Sequence, residues 1–145
     1  MCSYCGCSAN SIIGRFMDEH VEIINALTDL RAACHEREAE RAEAAVAVMA
    51  GLLHPHTQAE EVGLFAVLAE DDVFTEHIGS LCSEHALLDD LLDRLADGWF
   101  EGFEEFELLL HRHIDREDNG LFPAANIAIS GEDWERVVAL TEGAS

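Results

Sequence analysis

Two stretches of this chain carry the same uncommon side chains. One reads His54-Pro55-His56 and, a turn later, Glu60-Glu61-Val62-Gly63-Leu64-Phe65. Fifty-seven residues on, the other reads His111-Arg112-His113 and then Glu117-Asp118-Asn119-Gly120-Leu121-Phe122. In a helix, His-x-x-x-Glu places an imidazole and a carboxylate on one face, a turn apart. Apolar packing gives no reason to repeat that pair. A metal site assembled from two related halves does.

His54 and His56 lie about 200° apart around a helix, so only one of them can face inward. In the later copy, Phe106, Leu109, Leu110, His113, Glu117, Gly120 and Leu121 form one stripe, while His111 joins Glu104, Glu107, Asp115 and Asp118 on a solvated one. In the earlier copy, Leu52, Leu53, His56, Glu60, Gly63 and Leu64 form the inner stripe, and His54 falls nearer the surface with Gly51, Gln58 and Glu61. Two further histidines sit on apolar faces. His20 lies among Phe16, Met17, Ile23, Ile24 and Leu27, and His85 among Ile78, Leu81, Leu88 and Leu92. A single core histidine is commonplace, but a buried carboxylate is costly without a partner. Four inward histidines and two inward glutamates therefore predict bound cations at His20, His56, Glu60, His85, His113 and Glu117. His35 and His77 lie off these stripes and are assigned surface or supporting roles.

Four long helices must position these groups. The apolar periodicity predicts a first helix from a cap at Ser8 or Asn10 to about residues 31–35. A second, starting in the charged stretch 36–43, runs to about Leu68. Asp71-Asp72 breaks the chain and caps a third helix over about 73–95. Asp97-Gly98 ends it, and a fourth runs from about Phe100 to Asn119, with Pro123 closing or kinking it. Ser130 and Asp133 have the spacing of a capping box before a short last helix, 132–140. Short connections between long helices mean an all-α, up-down-up-down four-helix bundle. Pro55 inside the second helix demands a local adjustment there.

The 145 residues suit one domain, read as a bundle over 10–145 behind a Cys-rich tail at 1–9. Net charge is −22, from eight arginines, no lysine and thirty acids. Such a surface repels phosphate backbones and anionic lipid, which argues against nucleic-acid and membrane partners. No apolar run is long enough to span a bilayer, and the N-terminus lacks signal-peptide character, so a cytoplasmic location is expected. The cysteines should then be reduced thiols.

The donor set is imidazole and carboxylate, without thiolate. If both glutamates bridge and an oxygen bridges as well, each of two metals has five ligands and one open position. That suits two Fe ions with a small exogenous ligand, although zinc and manganese accept similar donors. His20, His56-x-x-x-Glu60, His85 and His113-x-x-x-Glu117, with Leu64-Phe65 and Leu121-Phe122-Pro123 following the glutamates, resemble the hemerythrin-like (HHE cation-binding) family in its bacterial, actinobacterial form. The resemblance covers about residues 12–125. It implies a four-helix bundle around an oxo- and carboxylate-bridged diiron centre that binds O2, H2O2 or NO. Oxygen-carrying hemerythrins have His-x-x-x-His on the third helix and His-x-x-x-x-Asp on the fourth. Here Leu81 precedes His85, and the fourth helix has His113-x-x-x-Glu117. One histidine fewer favours reactivity over carriage. Relatives of this kind imply peroxide decomposition of a catalase or peroxidase type, nitric oxide handling, oxygen or iron sensing or carriage, or iron donation to damaged iron–sulfur centres.

Cys2-x-x-Cys5-x-Cys7 is compact enough for a second metal or a redox site, with Cys34-His35 as a candidate source of a fourth ligand. Cys82 reads as a small core residue beside the His85 face. Tyr4, the single tyrosine, lies in the tail.

Overall fold

A computed structural model describes residues 7–143. Helix α1 spans Cys7–His35, α2 Ala39–Glu60, α3 Ala66–Leu68, α4 Asp72–Ala96, α5 Phe103–Arg116, α6 Phe122–Ala128 and α7 Gly131–Gly143. A π-helical turn, Glu61–Phe65, joins α2 to α3, and a second, Glu117–Leu121, joins α5 to α6. The chain thus forms four rods: α1; α2 with its π turn and α3; α4; and α5 with its π turn and α6. Each rod packs against the next, α1 on α2, α2 on α4, α4 on α5 and α5 back on α1. The expected up-down-up-down bundle is the observed fold. No strand occurs among the described residues, and no helix among them is long and apolar enough to cross a membrane.

Several signals act as read. The Asp71 carboxylate accepts from the Val73 amide at 3.0 Å and caps α4. Beyond α4, Gly98 takes φ +102°, and the Trp99 amide reaches back to the Arg94 carbonyl at 3.0 Å, a Schellman closure. Ser130 Oγ accepts from the Asp133 amide at 3.2 Å at the start of α7. Other boundaries differ. α1 begins at Cys7, so Ser8 and Asn10 lie within the helix instead of capping it, and the last residues of the expected tail are helical. The fourth rod does not stop near Asn119 or Pro123. The π turn carries it onward to Ala128, and Pro123 takes the second position of α6, where a missing amide proton is tolerated. Pro55 sits within α2, which continues through it.

The core has two apolar halves. One gathers Phe16, Leu64, Phe65, Leu81, Leu121 and Phe122 beneath α7. The other gathers Leu27, Met49, Leu53, Leu88, Leu91 and Phe106 towards the far end. Between them, at mid-bundle, lies a layer of buried His and Glu.

The two repeat glycines have separate fates. Gly63 is buried under α7, and a β-carbon there would collide with Thr141 Oγ1 and approach the Val137 carbonyl at 3.2 Å. Gly120, expected on the inner stripe, is exposed with nothing near it. Gly63→Ala is expected to destabilise the chain by about 1–3 kcal/mol in chemical denaturation. Gly120→Ala should leave it unchanged or stabilise it by up to about 1 kcal/mol through helix propensity.

Candidate metal centre

All six residues read as inward are buried, and Glu60 and Glu117 are wholly inaccessible, at 0% exposure. The rods bring them into two groups. His20, His56, Glu60 and Glu117 converge in one, and His85, His113, Glu60 and Glu117 in the other, with donor atoms of each group within 4.8 Å of one another. Both glutamates belong to both groups. His20 Nε2 lies 2.9 Å from Glu117 Oε1, His113 Nε2 3.2 Å from Glu117 Oε2, and His56 and His85 Nε2 each 3.4 Å from Glu60 Oε1.

These contacts do not satisfy the atoms that make them. His20 Nε2 and all four oxygens of Glu60 and Glu117 are buried without an aligned hydrogen bond. Orphaned buried oxygens cost several kilocalories per mole, and a cation removes that cost. The donor set of imidazoles and carboxylates suits iron, zinc or manganese. The residues present therefore fit the group that the sequence implied.

The protonation of the metal-free site reflects the same crowding. Burial and the Glu117 charge push the Glu60 carboxyl well above the usual range. Burial would raise Glu117 too, but the imidazoles of His113, His20 and His85 outweigh it and hold it well below that range. Burial opposes charge on His85, yet Glu117, Glu60 and Glu61 lift its pKa to about 9. His113 rises likewise, through Glu117 and Glu84 against the cost of burial. A cation bound by these groups would displace those protons.

Around this layer lies a shell of four acids. His56 Nδ1 donates to Glu19 at 2.7 Å, His85 Nδ1 to Glu61 at 2.6 Å, His113 Nδ1 to Glu84 at 2.8 Å and His20 Nδ1 to Asp118 at 2.8 Å. Glu61 and Asp118 are thus not simply solvated. Each is partly exposed and holds an imidazole of the neighbouring rod. Arg15 backs Glu19 at 3.1 Å, and Arg116 pairs with Glu84. The repeated Leu-Phe also gains a purpose. Phe65 stacks on His85 at 5.6 Å between ring centres, and Phe122 on His20 at 5.9 Å. The available signal was adjacency, since each shell acid is one residue from a core ligand candidate.

The other histidines stay outside. His54 is exposed and pairs with Asp89 at 2.9 Å, and His111 is exposed. His35 is exposed at the far end of α1, edge-on to Phe103. His77 is half-buried on α4, its pKa lowered by burial and by Arg116. Beside His54 and Asp89 a cavity of about 300 Å³, lined also by Thr57, Gln58, Glu61 and Val62, opens between α2 and α4. It brings solvent to Glu61, one hydrogen bond from His85.

Cys2 and Cys5 lie outside the described residues. Cys34 lies at the opposite end of α1 from Cys7. α1 is a single helix, so Cys7 and Cys34 are about 40 Å apart at 1.5 Å per residue. Cys34 is buried, and burial raises its thiol pKa. Cys82 is half-buried rather than buried, packed beside the apolar half under α7.

Comparison with curated proteins and with solved structures returns no match to this chain. The hemerythrin HHE cation-binding domain matches residues 11–125, a span that contains all four rods' contributions to the buried layer. The chain belongs to the hemerythrin HHE cation-binding domain family.

Proposed function

We propose that this protein holds a pair of iron ions at His20, His56, Glu60, His85, His113 and Glu117 and reacts there with a small ligand, peroxide, O2 or NO. The observation that carries this reading is the sharing of both glutamates by two four-residue groups. Two carboxylates common to two cation positions make one dinuclear centre, not two separate sites. Iron bound there supplies electron transfer and an open position for a small ligand.

The chain's own residues set the conditions. Two His per group leave each cation short of six donors. Leu81, one turn before His85, is fully buried and offers no donor. The aromatic faces of Phe65 and Phe122 against His85 and His20 keep bulk water from the ligand layer. The cavity between α2 and α4 brings solvent within one side chain of it.

The test is anaerobic loading with ferrous iron, elemental analysis, and stopped-flow exposure to peroxide and to NO. Two irons per chain and peroxide or NO consumption are expected. Consumption should vanish in His56→Ala and survive Cys→Ser at Cys2, Cys5 and Cys7. Full iron loading with only reversible ligand binding would replace turnover with sensing or carriage.

A further inference from the structure

The shell acids follow a rule that depends on helix direction. On α1 and α4 the acid precedes the buried histidine, as Glu19-His20 and Glu84-His85. On the second and fourth rods it follows the buried glutamate, as Glu60-Glu61 and Glu117-Asp118. One residue turns a helix by about 100°. Neighbouring rods are antiparallel, so a step back on one and a step forward on the next rotate in the same sense about the bundle axis. Each acid therefore lands on the seam with the next rod and takes the histidine there. Glu19 on α1 holds His56 on α2, Glu61 holds His85 on α4, Glu84 holds His113 on α5, and Asp118 holds His20 on α1. The chain of contacts closes on itself.

We propose that Glu19, Glu61, Glu84 and Asp118 form a ring of positioning residues. Each accepts the Nδ1 proton of an imidazole on the adjacent rod, so all four Nε2 atoms present lone pairs to the centre together. This rests on the metal-centre reading above and adds the residues that orient its histidines. A carboxylate acceptor fixes the imidazole tautomer and increases its basicity, and loss of such a partner commonly costs 10–100-fold in metal affinity. The ring also ties every rod to its neighbour at ligand level, linking bundle closure to ligand geometry.

Two measurements test it. The first is imidazole nitrogen NMR on the metal-free protein at about pH 10, above the His85 pKa of about 9. Wild-type His20 and His56 should carry the proton on Nδ1, and so should at least one of His85 and His113, whose Nε2 atoms face each other at 3.0 Å and can share one proton. Asp118→Ala should release the tautomer of His20, on the next rod, and leave that of His113, four residues from Glu117 on the same rod. Glu61→Ala should release His85 and leave His56. The second is ferrous iron retention against a chelator. Each Ala variant should weaken retention about 10–100-fold, and Glu61→Gln or Asp118→Asn, which keep an acceptor oxygen, should recover part of it. Asp115→Ala, which removes an exposed acid outside the ring, is the control for charge alone. Unchanged tautomers, or equal loss in Asp115→Ala, would overturn the ring. Because the NMR needs no metal, failure of iron to bind or react would count against the functional reading without touching this result.

Discussion

Glu117→Gln is expected to empty both halves of the centre at once, whereas His113→Ala should empty one. Glu117 belongs to both four-residue groups, and His113 to one. Cations confined to a space a few ångströms wide repel each other. Unit charges 4 Å apart do so by about 4 kcal/mol at an effective dielectric of 20, and divalent charges about four times as strongly. Two buried carboxylates offset that repulsion, and neutral imidazoles add donors without charge. Removing one carboxylate leaves a single anion between two dications in a buried layer. Glutamine keeps the side chain's shape, so helicity should persist while metal is lost. Elemental analysis after gel filtration should give near zero metal per chain for Glu117→Gln and for Glu60→Gln. His113→Ala should give about half the wild-type content, held by His20, His56, Glu60 and Glu117. Half occupancy in Glu117→Gln would mean that the two positions do not share it.

The buried His and Glu were legible because two physical signals coincide in them. Helical periodicity assigns His56, Glu60, His113 and Glu117 to apolar faces, and burial makes the two glutamates expensive enough to demand cations. The shell acids carry neither signal. A helical wheel divides core from solvent, and a position 100° from the core face belongs to a seam. Glu61 and Asp118 read as solvated because their partners, His85 and His20, lie on another rod. Rod order and direction have to be known before that seam acquires an occupant. The π turns were hidden for a related reason. Five residues with i→i+5 bonding look like ordinary helix in composition, so the extension through Pro123 to Ala128 could not be read from Pro123 itself. Gly63 and Gly120 show the limit of the repeat. They are equivalent in sequence, but α7 covers only one end of the bundle, and it presses on Gly63 alone.

Removing the metal should leave a chain whose stability falls as pH rises from about 6.5 to 9, while the iron-loaded chain holds steady. In the metal-free site His85 binds its proton up to about pH 9, against its usual 6.5. A group with a raised folded pKa contributes stability fully below its unfolded pKa and loses it as pH climbs through the folded one. His113 shifts in the same direction. The raised carboxyl of Glu60 has the same sign, its stabilisation being present in acid and lost as pH climbs through its folded pKa. Glu117 runs the other way. Its lowered pKa gives stability that is present above the usual carboxylate value and lost only in acid, so it does not enter this window. The His85 shift alone corresponds to on the order of 3 kcal/mol, or roughly 10 °C in Tm for a chain of this size. Bound cations displace those protons, and their stabilisation grows with the ratio of free metal to Kd. Above pH 6.5 the competition from protons weakens, so the difference in Tm between loaded and chelator-treated protein should widen towards pH 9. Thermal melts of both forms at half-unit steps from pH 6 to 9.5 would show it. A metal-free Tm that stays flat across that range would mean that the buried layer does not take up protons in place of metal.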